Sequence, residues 1–466
     1  MRRRALALID GEHYPPVVAD TLRCAAEEYE FLAAVFVGGA EKIRVTGLRE
    51  EAEQVYGLPV LFGEDVVETL ARAMEQFRPE VVVDLSDEPV LGYEKRFCLI
   101  SESLARNIDY VGSDFRFHAP ARQRLCSSPS LAVIGTGKRV GKTGVSGYVA
   151  RRIRETAEAG GVSAPPGAPP VVVVAMGRGG PAVPEIVDGR DGRLQAVDLL
   201  ALSRQGRHAA SDHFEDAVLA GVMAVGCRRC GGGLAGAPFS SNFAEGVRLA
   251  NQLHADFVVL EGSGAALPPV ASDVTLLVVG AQQPLAHVAG YLGRYRTLVS
   301  DAVVVTMAEE PLARDAQVNL LVDAVRGVKP GIEAVPVVFR PRPQAEVSGR
   351  RVAFFTTAPA ELGPHLARHL QEQWGCQVEL VCCRLADRRG LREALESPAM
   401  AKVELVLTEI KAASIDLVAE EADKRGLPIV FVDNVPVEAE GVREGHLREL
   451  VDRLAALARK RFAQGV

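Results

Sequence analysis

The chain has 466 residues, 48% of them hydrophobic, and a formal net charge of −7. That length accommodates about three domains with substantial cores, and the charge, with no dense Lys/Arg tract, excludes a broad footprint for nucleic acid or an anionic membrane. Eight scattered cysteines make no secreted disulfide framework, and no apolar stretch approaches the roughly 20 residues that span a bilayer, so a cytoplasmic protein is expected.

Met1 to Asp10 starts like a signal peptide, but its apolar run is cut short by Asp10 and Glu12. From there to Cys126 the short apolar runs Ala5 to Ile9, Ala33 to Val37, Val60 to Phe62 and Val81 to Leu85 alternate with helical patterns. This is the signature of an α/β domain over residues 1–126. Two runs end in acidic turns, Asp10-Gly11-Glu12-His13-Tyr14 and Asp84-Leu85-Ser86-Asp87-Glu88-Pro89. Ligands of open α/β sheets gather at the carboxyl ends of strands, so each turn either lines a site or caps the helix that follows.

Ser127-Ser128-Pro129 opens a second domain, expected over residues 127–328. Leu131 to Ile134 fits a buried parallel strand, Gly135 to Thr143 a phosphate-binding loop, and Gly144 to Arg152 a helix whose N-terminal amides and dipole face that loop. Gly137, Gly141, Lys142, Thr143 and Gly144 are the expected nucleotide contacts, with Lys142 on the β- and γ-phosphates and the Thr143 hydroxyl on Mg²⁺. The spacing departs from G-x-x-x-x-G-K-[ST], because counting back from Gly141 puts Thr136 at the first position. The pattern G-T-x-x-x-V-G-K-T resembles the loop of dethiobiotin synthetase and the cobyrinate amidases, which implies transfer of the γ-phosphate to a small acid.

Ala157 to Pro170, rich in Gly and Pro, reads as a mobile surface loop. Val171 to Ala175 fits a central strand that ends at Arg178, flanked by glycines and suited to an anion. Ser203 to Asp216 concentrates Arg207, His208, serines and acids, either a phosphate-binding stretch or an exposed polar helix. In Cys227-Arg228-Arg229-Cys230-Gly231-Gly232-Gly233 the arginines read as phosphate ligands on a flexible Gly-rich loop, since a structural zinc lacks its second ligand pair. Phe257 to Gly264 is a buried strand that delivers Glu261 to Mg²⁺ or its water, and its E-G-x-G again resembles dethiobiotin synthetase. Val274 to Val279 and Ala302 to Thr306 complete a parallel sheet. No Asn-Lys-x-Asp follows at Thr306 to Pro311, which favours adenine over guanine.

Residues 329–350, rich in Pro, Val and Arg, read as a connector. A C-terminal α/β domain is expected over residues 351–466, from the runs Val352 to Thr356, Val378 to Cys382, Val403 to Leu407 and Ile429 to Val432. Lys411 lies just past one of these strands, placed either to reach a ligand or on an exposed helix. A closing amphipathic helix is expected from Glu444 to Phe462.

In this order, the two acidic turns, the Gly135 to Thr143 loop, Cys227 to Gly233, Glu261 to Gly264 and Glu409-Ile410-Lys411-Ala412-Ala413 resemble the cyclic 2,3-diphosphoglycerate synthetase family over the whole chain. The resemblance implies an ATP-dependent ligase: a central P-loop NTPase domain with a parallel sheet, flanked by two α/β domains, that closes 2,3-bisphosphoglycerate into its cyclic pyrophosphate through a phosphorylated intermediate. ATP and Mg²⁺ are then the cofactors. Catalysis falls to Lys138, Lys142, Arg178 and Glu261, the metal to Thr143 and Glu261, and substrate binding to Arg207, His208, Arg228, Arg229 and Lys411. A homodimer without nucleic-acid or membrane partners is expected. The alternatives are two. One is a ligase of the dethiobiotin synthetase or cobyrinate amidase type, against which stand Arg178-Gly179-Gly180 in place of Lys-Pro and the lack of a glutamine-hydrolysing constellation around Cys382-Cys383. The other is a MinD-like nucleotide switch, which would carry a Lys-Gly-Gly loop and an amphipathic membrane tail.

Overall fold

The computed structural model describes residues 2–39, 41–42, 45–159 and 167–465. The centre of the expected Gly/Pro-rich loop, residues 160–166, lies outside them. Two compact units form: Met1–Ala121 with Pro284–Val299 and Gly327–Pro330, and Arg122–Gln283 with Ser300–Arg326 and Gly331–Val466.

The first unit is an open α/β sheet. Strands β1 (Arg3–Ile9), β2 (Tyr29–Phe36), β3 (Val60–Leu61), β4 (Val81–Asp84), β5 (Asp109–Val111) and β6 (Arg116–Phe117) lie in the order β3-β2-β1-β4-β5-β6. All pairs are parallel except β5 with β6. Helices α1 (Pro15–Ala25), α2 (Val45–Tyr56), α3 (Val66–Phe77) and α4 (Tyr93–Ala105) alternate with the strands. The strand order reverses between β1 and β4, and Asp10 and Asp84 stand at that reversal.

Neither acid caps a helix. Helix α1 starts after Tyr14 with no side-chain cap and α4 after Gly92, whereas Asp65 caps α3. Asp10 instead closes its own turn, accepting from the amides of Glu12 (3.1 Å), His13 (3.1 Å) and Asp87 (2.7 Å) and from the His13 ring (2.8 Å). Asp84 accepts from Arg96 Nε and the Tyr110 hydroxyl, both at 2.8 Å, and from the Ser86 amide at 3.0 Å.

The second unit is built on one continuous sheet. Its strands are β7 (Ser130–Gly135), β8 (Val172–Gly177), β9 (Glu185–Asp188), β10 (Met223–Cys230), β11 (Ser240–Ser241), β12 (Val258–Glu261), β13 (Val274–Gly280), β14 (Ala302–Thr306), β15 (Glu333–Pro343), β16 (Arg351–Phe355), β17 (Gln377–Cys382), β18 (Leu405–Thr408) and β19 (Ile429–Glu438). The order is β11-β10-β8-β12-β7-β13-β14-β15-β19-β18-β16-β17, with β9 on β10. Strands β10, β8, β12, β7, β13, β14 and β15 run parallel, so their carboxyl ends share one edge. Their Val, Leu and Ile runs are buried on both faces, as a covered parallel sheet requires.

The Pro-rich stretch read as a connector contains β15. It pairs with β14 over Glu333 to Pro336 and then with β19, antiparallel, from Val337 to Pro343. Each half therefore has an open edge, where a proline removes no ladder bond. The phosphate-loop helix, α5 (Lys142–Ala159), runs further than its expected end and takes in the start of the Gly/Pro-rich stretch. Helices α6 (Ala196–Arg204) and α7 (Asp212–Ala220) follow on the same unit. Among the described residues no helix is long and apolar enough to cross a membrane.

Candidate active site

The loop after β7 turns on Gly141, whose φ of +80° favours glycine. A Cβ there would also lie 2.4 Å from the Phe339 ring of β15, and one on Gly144 would lie 2.9 Å from the Asn434 carbonyl of β19. Side chains at these positions would wedge the loop away from the two strands beside it. Lys142 folds over Gly135, and its Nζ donates to the Gly137 carbonyl at 3.4 Å. Burial pulls its ammonium below the ordinary lysine value, against the pull of Glu261 and Asp212. Lys138 stands exposed at the loop tip.

Strand β12 lies beside β7, with Glu261 in register with Val133, so its carboxyl emerges next to the loop. Glu261 is buried, and its Oε2 has no hydrogen-bond partner among the described residues. Burial pushes its carboxyl up to about 7, Asp212 adds to the rise, and Lys142 and the Thr143 hydroxyl oppose it. Thr143 and Glu261, the expected metal pair, are thus neighbours.

Three further acids come from the N-terminal half of α7. Asp212, Glu215 and Asp216 are spaced i, i+3, i+4, which places them on one face of the helix. Its N-terminal dipole favours negative charge there. Asp216 is buried, and among the described residues neither of its oxygens meets a donor. Burial raises it well above the usual carboxylate range, and Glu261 and Glu215 raise it further. Two such carboxyls bond to each other only if one of them keeps a proton. Glu215 is pushed up to about 8 by burial, although Lys411 pulls against the rise from 2.8 Å. Lys411 in turn stays above its ordinary value, Glu215 and Glu409 outweighing its burial.

The expected phosphate ligands separate. Arg178 follows β8, and a Cβ on Gly264, at the end of β12, would lie 2.6 Å from its Nη2 and 3.3 Å from that of Arg229. Two guanidinium groups therefore share one corner. Arg229 donates to the carbonyls of Gly231 (2.6 Å) and Ser263 (2.8 Å), while its Nε has no partner, and burial, with Arg178 beside it, lowers its pKa. Arg228 and Arg229 lie within β10 and not on a flexible loop. Strand alternation points them to opposite faces, and Arg228 is exposed. Cys227 is fully buried on β10 and Cys230 exposed. Burial pushes the Cys227 thiol up to about 12.

The stretch Ser203 to Asp216, expected either to bind phosphate or to form an exposed helix, divides its charges. Arg207 pairs with Glu185, which also takes His213 Nε2 at 3.0 Å. The His208 ring lies against Gly179 in the turn after Arg178. Of the acids that follow, Asp212 and Asp216 lie near Glu261, and Glu215 takes Lys411. Their i, i+3, i+4 spacing was the available signal, and the basic residues just before them obscured it. Among the described residues, no three His, Cys, Asp or Glu side chains surround a single point suited to a metal.

Family models match three consecutive parts of the chain. They are described as the N-terminal domain of cyclic 2,3-diphosphoglycerate synthetase (residues 4–118), its P-loop domain (130–338) and its C-terminal domain (343–435). Among curated relatives, the cyclic 2,3-diphosphoglycerate synthetase of Rubrobacter xylanophilus is 49% identical over 447 residues, 96% of each chain. That of Thermococcus gammatolerans is 44% identical over 451 residues, again 96% of each. That of Methanothermus fervidus is 40% identical over 441 residues, 93% of each.

Proposed function

The chain belongs to the cyclic 2,3-diphosphoglycerate synthetase family, and from that premise we propose that it uses ATP to close 2,3-bisphosphoglycerate into its cyclic pyrophosphate, releasing ADP and phosphate. The observation that carries this reading is the meeting of two unlike groups along one sheet edge. Starved carboxylates stand beside the phosphate loop, and the guanidiniums of Arg178 and Arg229 stand together at Gly264. The first suits a nucleotide with its cation; the second suits a polyanionic acceptor.

Joining two phosphates of one substrate is opposed by their mutual repulsion, so positive charge in a water-poor corner is the main requirement. In the proposed sequence a substrate phosphate oxygen attacks the γ-phosphorus, breaking its bond to the leaving oxygen of ADP and making a linear phosphoanhydride. The second substrate phosphate then attacks the phosphorus of the first, and the terminal phosphate leaves. Lys142 neutralises the β/γ oxygens in the first step, with Lys138 closing over the loop. Arg178 and Arg229 draw the two substrate phosphates together for the second, with His208 beside them and Arg228 at the exposed rim. The nucleotide phosphates lie against Gly137, Gly141, Thr143 and Gly144.

The residues also fit a magnesium ion. Glu261 Oε2 and both oxygens of Asp216 are buried hard donors without partners, beside the Thr143 hydroxyl. Thr143 and Glu261 would hold the ion, with Asp216 behind them. When bound it supplies neutralisation of the nucleotide's phosphate oxygens.

Phosphorus NMR of a mixture of protein, ATP, Mg²⁺ and 2,3-bisphosphoglycerate tests the proposal. Resonances of a cyclic pyrophosphate should grow in step with ADP and inorganic phosphate in equal amounts. ADP release without a cyclised product would overturn it.

A further inference from the structure

The N-terminal half of α7 carries Asp212 and Asp216 into the site, yet its first turn lacks the usual internal anchor. Its N-cap residue, Ser211, makes no side-chain bond to the helix amides. The Ser211 hydroxyl meets His213 Nδ1 at 3.0 Å instead. Two ties from outside the helix hold the turn. One runs from the His213 ring to Glu185, and the other from Glu215 Oε1 to Lys411 Nζ at 2.8 Å.

The second tie comes from a braced loop. After β18, Glu409 is held by the Thr357 amide (3.1 Å) and hydroxyl (2.7 Å), by the Asn434 amide (2.7 Å) and by the Thr356 hydroxyl. Ile410 is fully buried in the same core cluster as Phe214 and Ala217 of α7. The Lys411 amide donates to Ser414 Oγ at 3.1 Å, and Ala412 adopts a φ of +49°. A loop tied at Glu409, Ile410 and Lys411 holds its lysine in place. Glu215 keeps its other oxygen, Oε2, buried and without a partner among the described residues.

We infer that Lys411 is a positioning residue for the nucleotide–cation site and not a ligand of the substrate: acting through Glu215, it fixes the turn that aims Asp212 and Asp216 at the Glu261–Thr143 corner. The C-terminal part of the chain thereby completes a site whose other members all precede residue 262. An ammonium already bonded to a buried carboxylate gains little by turning to a substrate phosphate, because it would strand Glu215 without a partner. This inference rests on the proposed cation site.

The test is Mn²⁺ binding to the full chain in the presence of ADP, followed by electron paramagnetic resonance, beside calorimetric titration with 2,3-bisphosphoglycerate. Lys411→Met should weaken Mn²⁺ binding about tenfold, the scale of lost outer support at a metal site, with bisphosphoglycerate affinity within about twofold of the parent. Lys411→Arg should restore Mn²⁺ binding. Glu215→Met, which leaves the lysine in place and takes away its acceptor, should reproduce the Mn²⁺ defect, and it keeps the test decisive if Lys411→Met fails to fold. Loss of bisphosphoglycerate affinity with unchanged Mn²⁺ binding would make Lys411 a substrate ligand and overturn the inference, as would indifference of Mn²⁺ binding to either variant. The underlying site is tested separately: if the parent protein bound no Mn²⁺–ADP, or if Glu261→Gln left that binding unchanged, the cation site itself would be wrong.

Discussion

Both units carry buried carboxylates at the carboxyl ends of parallel strands, and their surroundings are opposite. Asp10 and Asp84, at the strand-order reversal of the first sheet, are saturated by amides, a hydroxyl and an arginine. Glu261, at the end of β12, and Asp216, on α7 beside it, are equally buried and have oxygens that no amide, hydroxyl or cation among the described residues reaches. A carboxylate that gathers every donor within reach closes a turn. One kept short of donors at similar burial costs stability unless a cation joins it, which makes it the better marker of a site. Glu409 shows the saturated pattern again, inside the unit that holds the starved pair.

The comparison breaks most easily at the ammonium facing the starved pair. Lys142→Ala should lower turnover at least about 10²-fold, or some 2.7 kcal/mol in the barrier, because no other buried cation stands on the loop. Steady-state ADP release is the measurement, and a near-parental rate would remove the phosphate-loop assignment.

A saturated acid should behave differently. Asp84→Asn leaves Arg96 and Tyr110 beside a neutral amide, and a loss of about 2 kcal/mol in urea unfolding is expected from the weakened charge-assisted bonds. The Mg²⁺ dependence of turnover should not move. If it moved while stability held, Asp84 would belong with the site acids and the distinction between the two regions would fail.

How much of this could be read in the sequence follows from the range of each interaction. The apolar, β-branched runs gave β7, β8, β12, β13 and β14 directly, because a doubly covered strand writes its burial into consecutive residues. The loop glycines and Lys142 were legible for the same local reason. Strand β15 was hidden by its prolines, whose tolerance depends on a mid-strand change of partner. The acids of α7 were hidden by the arginines before them, since Arg207 finds Glu185 and Lys411 finds Glu215 only through the fold. The opposite facing of Arg228 and Arg229 needed their assignment to β10.

The starved acids predict a stabilising mutation. Glu261→Gln keeps the shape and removes a buried charge that has no full complement of donors, so the metal-free protein should melt higher than the parent at pH 8. Its affinity for Mg²⁺ with nucleotide should fall about tenfold. Differential scanning calorimetry with and without Mg²⁺–ADP reads both effects. A variant that melts lower would show Glu261 to be as well supported as Asp84.

The smallest effect is a slope. A carboxyl whose value in the folded chain lies above that of the unfolded chain binds its proton more tightly when folded. The stability it lends is therefore present at low pH and is lost as pH rises toward the folded value. Glu261, pushed to about 7 by burial, places that loss between about pH 4.5 and 7. It contributes at most about 1.4 kcal/mol per pH unit within that window. The metal-free chain should thus lose melting temperature steadily from about pH 5.5 to 7, and Mg²⁺ with ADP should flatten the decline by taking the place of the proton. Asp84→Asn should leave the slope in place and Glu261→Gln should reduce it. The reverse assignment would mean that the proton load sits in the first unit and that the second unit's acids are less starved than their missing donors imply.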